Sequence, residues 1–98
     1  LDLGRKNEFK AVVAVQFPRQ GVYAVGFITS DGLDEVKNAS GKKLVTVFVP
    51  NTPAPLTGFT VMFPEEEIIR MSITVDDAFR FLISGGILTP NNHNHVVL

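Results

Sequence analysis

The chain has no cysteine. Disulfides, thiolate nucleophiles and cysteine-ligated zinc are therefore excluded, and the composition fits a reducing compartment. Neither sign of charge is in excess: 9 Lys and Arg face 10 Asp and Glu, for a net charge of −1. No basic stripe is available to track a phosphate backbone, so nucleic acid is not an expected partner. Long hydrophobic runs are also missing. The apolar stretches fall far short of the ~20 residues that a bilayer-crossing helix needs, and no secretory hydrophobic segment is present. The first residue is Leu1, which reads as the start of a fragment or of a processed chain.

What is present suffices for one domain. Of 98 residues, 45% are hydrophobic and eight are Phe. A chain of this size buries about two thirds of the surface that it exposes when unfolded, so a core forms without staples. Residues 1–8 are polar and aperiodic and read as a flexible lead-in; 9–89 read as a single globular domain and 90–98 as a flexible tail.

Period-two patterning dominates. In 9–17, Val13, Val15 and Phe17 share one face, and Val12, Ala14 and Gln16 the other. Pro18 and Gly21 mark a turn. In 22–29, Tyr23, Val25 and Phe27 oppose Val22, Ala24, Gly26 and Ile28. Gly26 leaves a gap on that second face, which predicts a close neighbour over it. Residues 30–43 are polar and read as an exposed loop. Strands follow at 44–49 and 59–63, a short one at 68–72, and a last one at 87–89. The one predicted helix covers 74–86. Thr74 caps it, with Asp77 three residues on as in a capping box. Val75, Ala78, Phe79, Leu82 and Ile83 form its apolar stripe, and Gly85-Gly86 stops it. The expected fold is α+β, mainly β: a small curved antiparallel sheet or partial β-barrel of about five or six strands with one C-terminal amphipathic helix.

Residues 50–58 join two strands where a hairpin turns in about two to five residues. Pro50, Pro53 and Pro55 fix φ there and push Val49, Thr52 and Ala54 toward extended geometry. Gly58 offers a positive-φ re-entry into the next strand. The loop is expected to be stiff, with Leu56 at its tip. Such a loop suits a contact surface, because preordering lowers the entropy cost of binding. It equally suits a corner crossing the end of a barrel, with prolines guarding a sheet edge.

Three stretches together resemble a known family: "FPRQGVYAVGFIT", "VFVPNTPAPLTGF" and "ITVDDAFRFLISGG". The order Pro18, Arg19, Gly21, Gly26, Phe27 and Thr29, then Val47 to Pro50, Thr52, Pro53, Pro55 and Gly58, then Val75, Asp77, Ala78, Ser84, Gly85 and Gly86 is similar to the soluble domain of the continuous-vascular-ring (COV)-like membrane proteins, whose function is unknown. The resemblance covers about residues 9–88. Asn51 departs from it, standing where the family usually has Thr. The resemblance implies two membrane spans N-terminal to this region and a parent held in a membrane. It supplies no catalytic residues.

The reactive side chains do not gather in the sequence. Asp76 and Asp77 are helix neighbours that diverge, and they serve the first turn of a helix. Glu65, Glu66 and Glu67 in extended chain would alternate sides and read as a solvated run. His93 and His95 lack a completing ligand. Ser84-Gly85-Gly86 lies at a helix C-terminus, which repels anions. Arg19 is expected to pair with a carboxylate such as Asp77 or with a partner's acid, and Phe81 to lie under a loop or to anchor a partner. The reading is a non-catalytic, extramembrane interaction or self-assembly module with no cofactor, held by a membrane-associated parent and expected on the cytoplasmic side. Its candidate surface is Arg19, Pro50, Asn51, Thr52, Pro53, Pro55, Leu56, Gly58 and Phe81. The alternative is a small-ligand or lipid-binding domain, with the ligand between helix and sheet near Gly26 and Phe79. A hydrolase or transferase would need a cluster that these residues do not supply.

Overall fold

The computed structural model describes residues 11–90. The expected lead-in at 1–8, His93 and His95 lie outside them. Five strands form one antiparallel sheet: β1 (Ala11–Gln16), β2 (Tyr23–Ser30), β3 (Leu44–Pro50), β4 (Gly58–Pro64) and β5 (Ile69–Arg70), in the spatial order β4-β3-β2-β1-β5. Two helices accompany it, α1 (Asp34–Ser40) and α2 (Val75–Ile83), with a 3-10 turn at Glu65–Glu67. The fold is α+β and mainly β. The sheet is open, because no ladder joins β4 to β5. The expected choice between curved sheet and partial barrel therefore resolves to the curved sheet.

A short crossing sets the curvature. Residues 64–68 carry the chain from β4 at one edge to β5 at the other. Five strands lying flat would hold those edges ~19 Å apart, at ~4.8 Å per strand. Extended chain covers only ~3.3–3.6 Å per residue, and a 3-10 turn only ~2.0 Å. The crossing is too short for a flat sheet, so the sheet curls. Phe63 of β4 is thereby brought into one buried cluster with Val13 and Val15 of β1, Ile28 of β2, and Val45, Val47 and Val49 of β3.

The opposite face of the sheet carries Val12, Phe27 and Phe48, which α2 covers with Ala78 and Leu82. Phe79 stacks on Phe27 with ring centroids 5.0 Å apart. The Thr74 hydroxyl caps α2 by accepting the Asp77 N–H at 3.0 Å, while the Asp77 carboxylate lies 3.7 Å from Arg80. At the other end Gly85 and Gly86 take positive φ (68° and 89°), and the Gly86 N–H donates to the Phe81 carbonyl at 2.7 Å.

Three expectations need correction. Residues 30–43 are not all loop, because α1 lies within them. It buries none of its residues, so no apolar stripe betrays it. Local chemistry holds it instead: Asp34 and Glu35 occupy the first turn, and Gly41 closes it in the left-handed conformation with its N–H on the Lys37 carbonyl at 2.9 Å. The strand expected at 68–72 is only Ile69–Arg70. No strand forms at 87–89, where the Leu88 N–H donates to Ser84 Oγ at 2.9 Å.

The close neighbour over Gly26 is the adjacent strand. A Cβ at Gly26 would lie 2.5 Å from Val47 Cγ1 and 3.0 Å from the Phe48 carbonyl oxygen. Gly26→Ala is expected to lower the unfolding free energy by about 1–3 kcal/mol, read from the midpoint of urea denaturation; an unchanged midpoint would contradict this close approach. In the same assay Thr74→Ala is expected to cost about 1 kcal/mol, with Thr74→Ser retaining most of it.

Candidate functional site

Because β2 and β3 are antiparallel, the start of β2 lies beside the end of β3. Turn 17–22 and loop 51–57 therefore share one end of the sheet. The Phe17 and Phe59 rings join them, with centroids 5.3 Å apart and planes inclined by 52°.

The loop is braced from within. The Asn51 N–H donates to the Thr57 carbonyl at 2.8 Å, and Asn51 Nδ2 donates to Thr57 Oγ1 at 3.0 Å. The Thr57 hydroxyl donates in turn to the Ala54 carbonyl at 3.3 Å. Pro50 is buried and ends β3, where it pairs with Gly58. It shapes the loop and offers no side-chain surface. Gly58 does not have a positive φ, contrary to expectation. Glycine is required there for space, since a Cβ would collide with the Val49 carbonyl oxygen.

Asn51, Thr52 and Pro53 are exposed and Pro55 is half-buried. Leu56 is 63% exposed. Two aromatics are also exposed at this end, Phe59 at 54% on the face of Phe17 and Tyr23 at 60% on the opposite face, that of Val25 and Phe27. Sequence reasoning missed both. Tyr23 shares its period with Val25 and Phe27, and Phe59 with Val61 and Phe63, so alternation alone assigns them to buried faces. Their position at the first residues of strands that leave a turn or loop was the available signal.

Arg19 stands exposed in turn 17–22, where Nη1 donates to the Gln20 carbonyl at 3.1 Å. The carboxylate of Asp77 pairs with Arg80 instead. Phe81 does not join the loop surface. It is half-buried beside α2 and lines a cleft with Val25, Met71 and Ile73, on the face of the sheet opposite to Phe17 and Phe59. Gly26 and Phe79 also belong to opposite sides: Gly26 opens toward Val47, whereas Phe79 stacks on Phe27. They do not enclose a common ligand space.

The remaining candidates have structural roles. Glu65, Glu66 and Glu67 form a 3-10 turn and not the extended chain expected, and Glu65 pairs with Lys43 at 3.2 Å. Ser84 Oγ donates to the Phe81 carbonyl at 3.1 Å within the end of α2. Among the described residues no polar or charged residue is buried. This end of the sheet presents apolar anchors and one cation on a braced frame. Such a surface can bind by excluding water, with Arg19 as an orienting charge.

No helix among the described residues is long and apolar enough to cross a membrane. No solved structure matches the chain. Residues 2–57 match the family described as "Protein of unknown function (DUF502)". Three proteins of Arabidopsis thaliana are similar over most of the chain. Protein LIKE COV 3 is 35% identical over 85% of this chain and 30% of its own length. Protein LIKE COV 2 is 32% identical over 90% of this chain and 33% of its own length. Protein CONTINUOUS VASCULAR RING 1 is 30% identical over 84% of this chain and 30% of its own length. The chain thus spans about a third of the length of the curated relatives it matches. It belongs to the COV-like family of proteins of unknown function.

Proposed function

We propose that this domain is the extramembrane, non-catalytic part of a membrane-held parent, and that it docks a protein partner through the sheet end formed by turn 17–22 and loop 51–57. The observation that carries the reading is Leu56, 63% exposed on a loop that its own hydrogen bonds brace. An apolar anchor on a preordered support loses little entropy when a partner covers it. Phe59 extends the apolar area, and Arg19 supplies a charge that orients an acidic group. Membrane attachment rests on the family resemblance, through spans outside this region. The absence of cysteine favours the cytoplasmic side.

One observation favours a second reading, a small apolar ligand held beside α2. The cleft lined by Val25, Met71, Ile73, Phe81, Thr89 and Pro90 has a volume of about 150 Å³. It is small beside the ~300–1,000 Å³ of ordinary ligand sites. Native mass spectrometry of freshly purified protein separates the readings: a reproducible adduct supports the ligand, and clean apoprotein removes it.

The docking reading is tested by affinity capture from membranes of the source cells, comparing wild type with Leu56→Asp and Arg19→Glu. Leu56→Asp is expected to lose specific partners at least about tenfold, while its circular dichroism and urea midpoint stay unchanged. A folded Leu56→Asp protein that keeps every partner would show that this end is not the surface.

A further inference from the structure

We propose that β4 is a self-pairing edge, along which two copies of this chain join antiparallel about a two-fold axis through Val61. The inference deepens the interaction reading above by naming a second copy as one partner, and it uses a different surface from the Leu56 loop.

The two edges of the sheet differ. β5 is two residues long and carries the charge of Arg70, features that blunt an edge. β4 runs for seven residues, Gly-Phe-Thr-Val-Met-Phe-Pro, with no charged side chain and with proline only at its last position. Its outward backbone groups follow from the register. The Asn51 N–H bonds to Thr57, and the Glu65 N–H bonds to the Lys43 carbonyl at 2.8 Å. Bonded pairs alternate along an antiparallel ladder, so Phe59, Val61 and Phe63 bond to β3. Gly58, Thr60 and Met62 therefore turn their N–H and C=O groups outward, and Pro64 its carbonyl. No partner strand lies on that side among the described residues.

The edge is nearly the same read in either direction about Val61. A two-fold axis there sets Thr60 opposite Met62 of the second copy and Phe59 opposite Phe63 of the second copy. Thr60 and Met62 exchange both backbone hydrogen bonds across the axis. The Gly58 N–H meets the Pro64 carbonyl of the second copy, which ends the ladder where proline has no donor to offer. The facing aromatics add a cross-strand pair and cover Phe59.

Charge favours the antiparallel arrangement. The acids Glu65, Glu66 and Glu67 follow β4 at one end. At the other end loop 51–57 is uncharged, and Arg19 lies two residues beyond Phe17, whose ring contacts Phe59. Antiparallel pairing brings the acids of each copy toward Arg19 of the other. Parallel pairing would set acids against acids. The contact is closed, because it uses β4 of both copies and leaves only the blunted β5 edges outside.

Sedimentation velocity of the 98-residue chain from micromolar to millimolar concentration is expected to show a monomer–dimer equilibrium. Thr60→Pro removes one outward donor per copy and leaves every bond to β3, so it should raise the dimer Kd by about tenfold or more. Val61→Cys, in a chain otherwise free of cysteine, should give a disulfide-linked dimer on mild oxidation, because residues facing across the axis sit ~4.5 Å apart at Cα. Ser40→Cys on α1 should not. If Thr60→Pro fails to fold, the cysteine pair decides. A chain that stays monomeric throughout, or a dimer indifferent to Thr60→Pro with no Val61→Cys cross-link, overturns the proposal. Leu56→Asp keeps the two readings apart. A monomeric chain that loses partners on Leu56→Asp keeps the loop reading and removes the edge; an edge-dependent dimer whose partner capture ignores Leu56→Asp does the reverse.

Discussion

The short crossing from β4 to β5 is the constraint on which the rest of this structure depends. Residues 64–68, tightened by the Glu65–Glu67 turn, cannot reach between the edges of a flat sheet. Curling brings those edges toward each other and turns one face of the sheet inward. Val13, Val15 and Val47 become fully buried there, and Phe63 closes the far side. The other face would remain apolar and wet if α2 did not lie across it. The apolar stripe of α2 meets Val12, Phe27 and Phe48, and the two faces together account for the apolar density of the strands.

The same arrangement leaves apolar side chains exposed at one end of the sheet. Curling brings Phe17 to Phe59, which links turn 17–22 to loop 51–57. The loop has no core of its own. Its order comes from the Asn51–Thr57 bonds and from Gly58 pressed against the Val49 backbone. A surface of this kind presents shape and apolar area without a convergent acid, base or nucleophile. Among the described residues, Asp77 and Ser84 serve the two ends of α2, and Glu65 of the 3-10 turn pairs with Lys43.

Much of this was legible in the residues, for reasons specific to each element. Alternation places Val13 and Val15 opposite Val12 and fixes the faces of β1 and β2. Thr74, the stripe from Val75 to Ile83 and Gly85-Gly86 mark both ends of α2. What escaped was set by tertiary reach or by local chemistry. Alternation carries no information on how far a sheet curls. α1 has no buried residue to create a period, although Asp34, Glu35 and Gly41 mark its ends. Of the candidate surface, Leu56 and the neighbouring polar residues are exposed as a loop tip should be. Pro50 is instead the last buried residue of β3, and Phe81 belongs to the helix-covered face. Proline positions show where a chain is stiff. They do not show which ring faces the core.

Rigidity of loop 51–57 is the property that separates a docking surface from an ordinary connection, and native-state amide exchange followed by NMR measures it residue by residue. The Asn51 amide, held by the Thr57 carbonyl at 2.8 Å, should exchange slowly, with protection approaching that of Val47 inside the ladder. Exchange of Asn51 at the rate of an unstructured peptide would contradict the claim that this end of the sheet is ordered before any partner arrives.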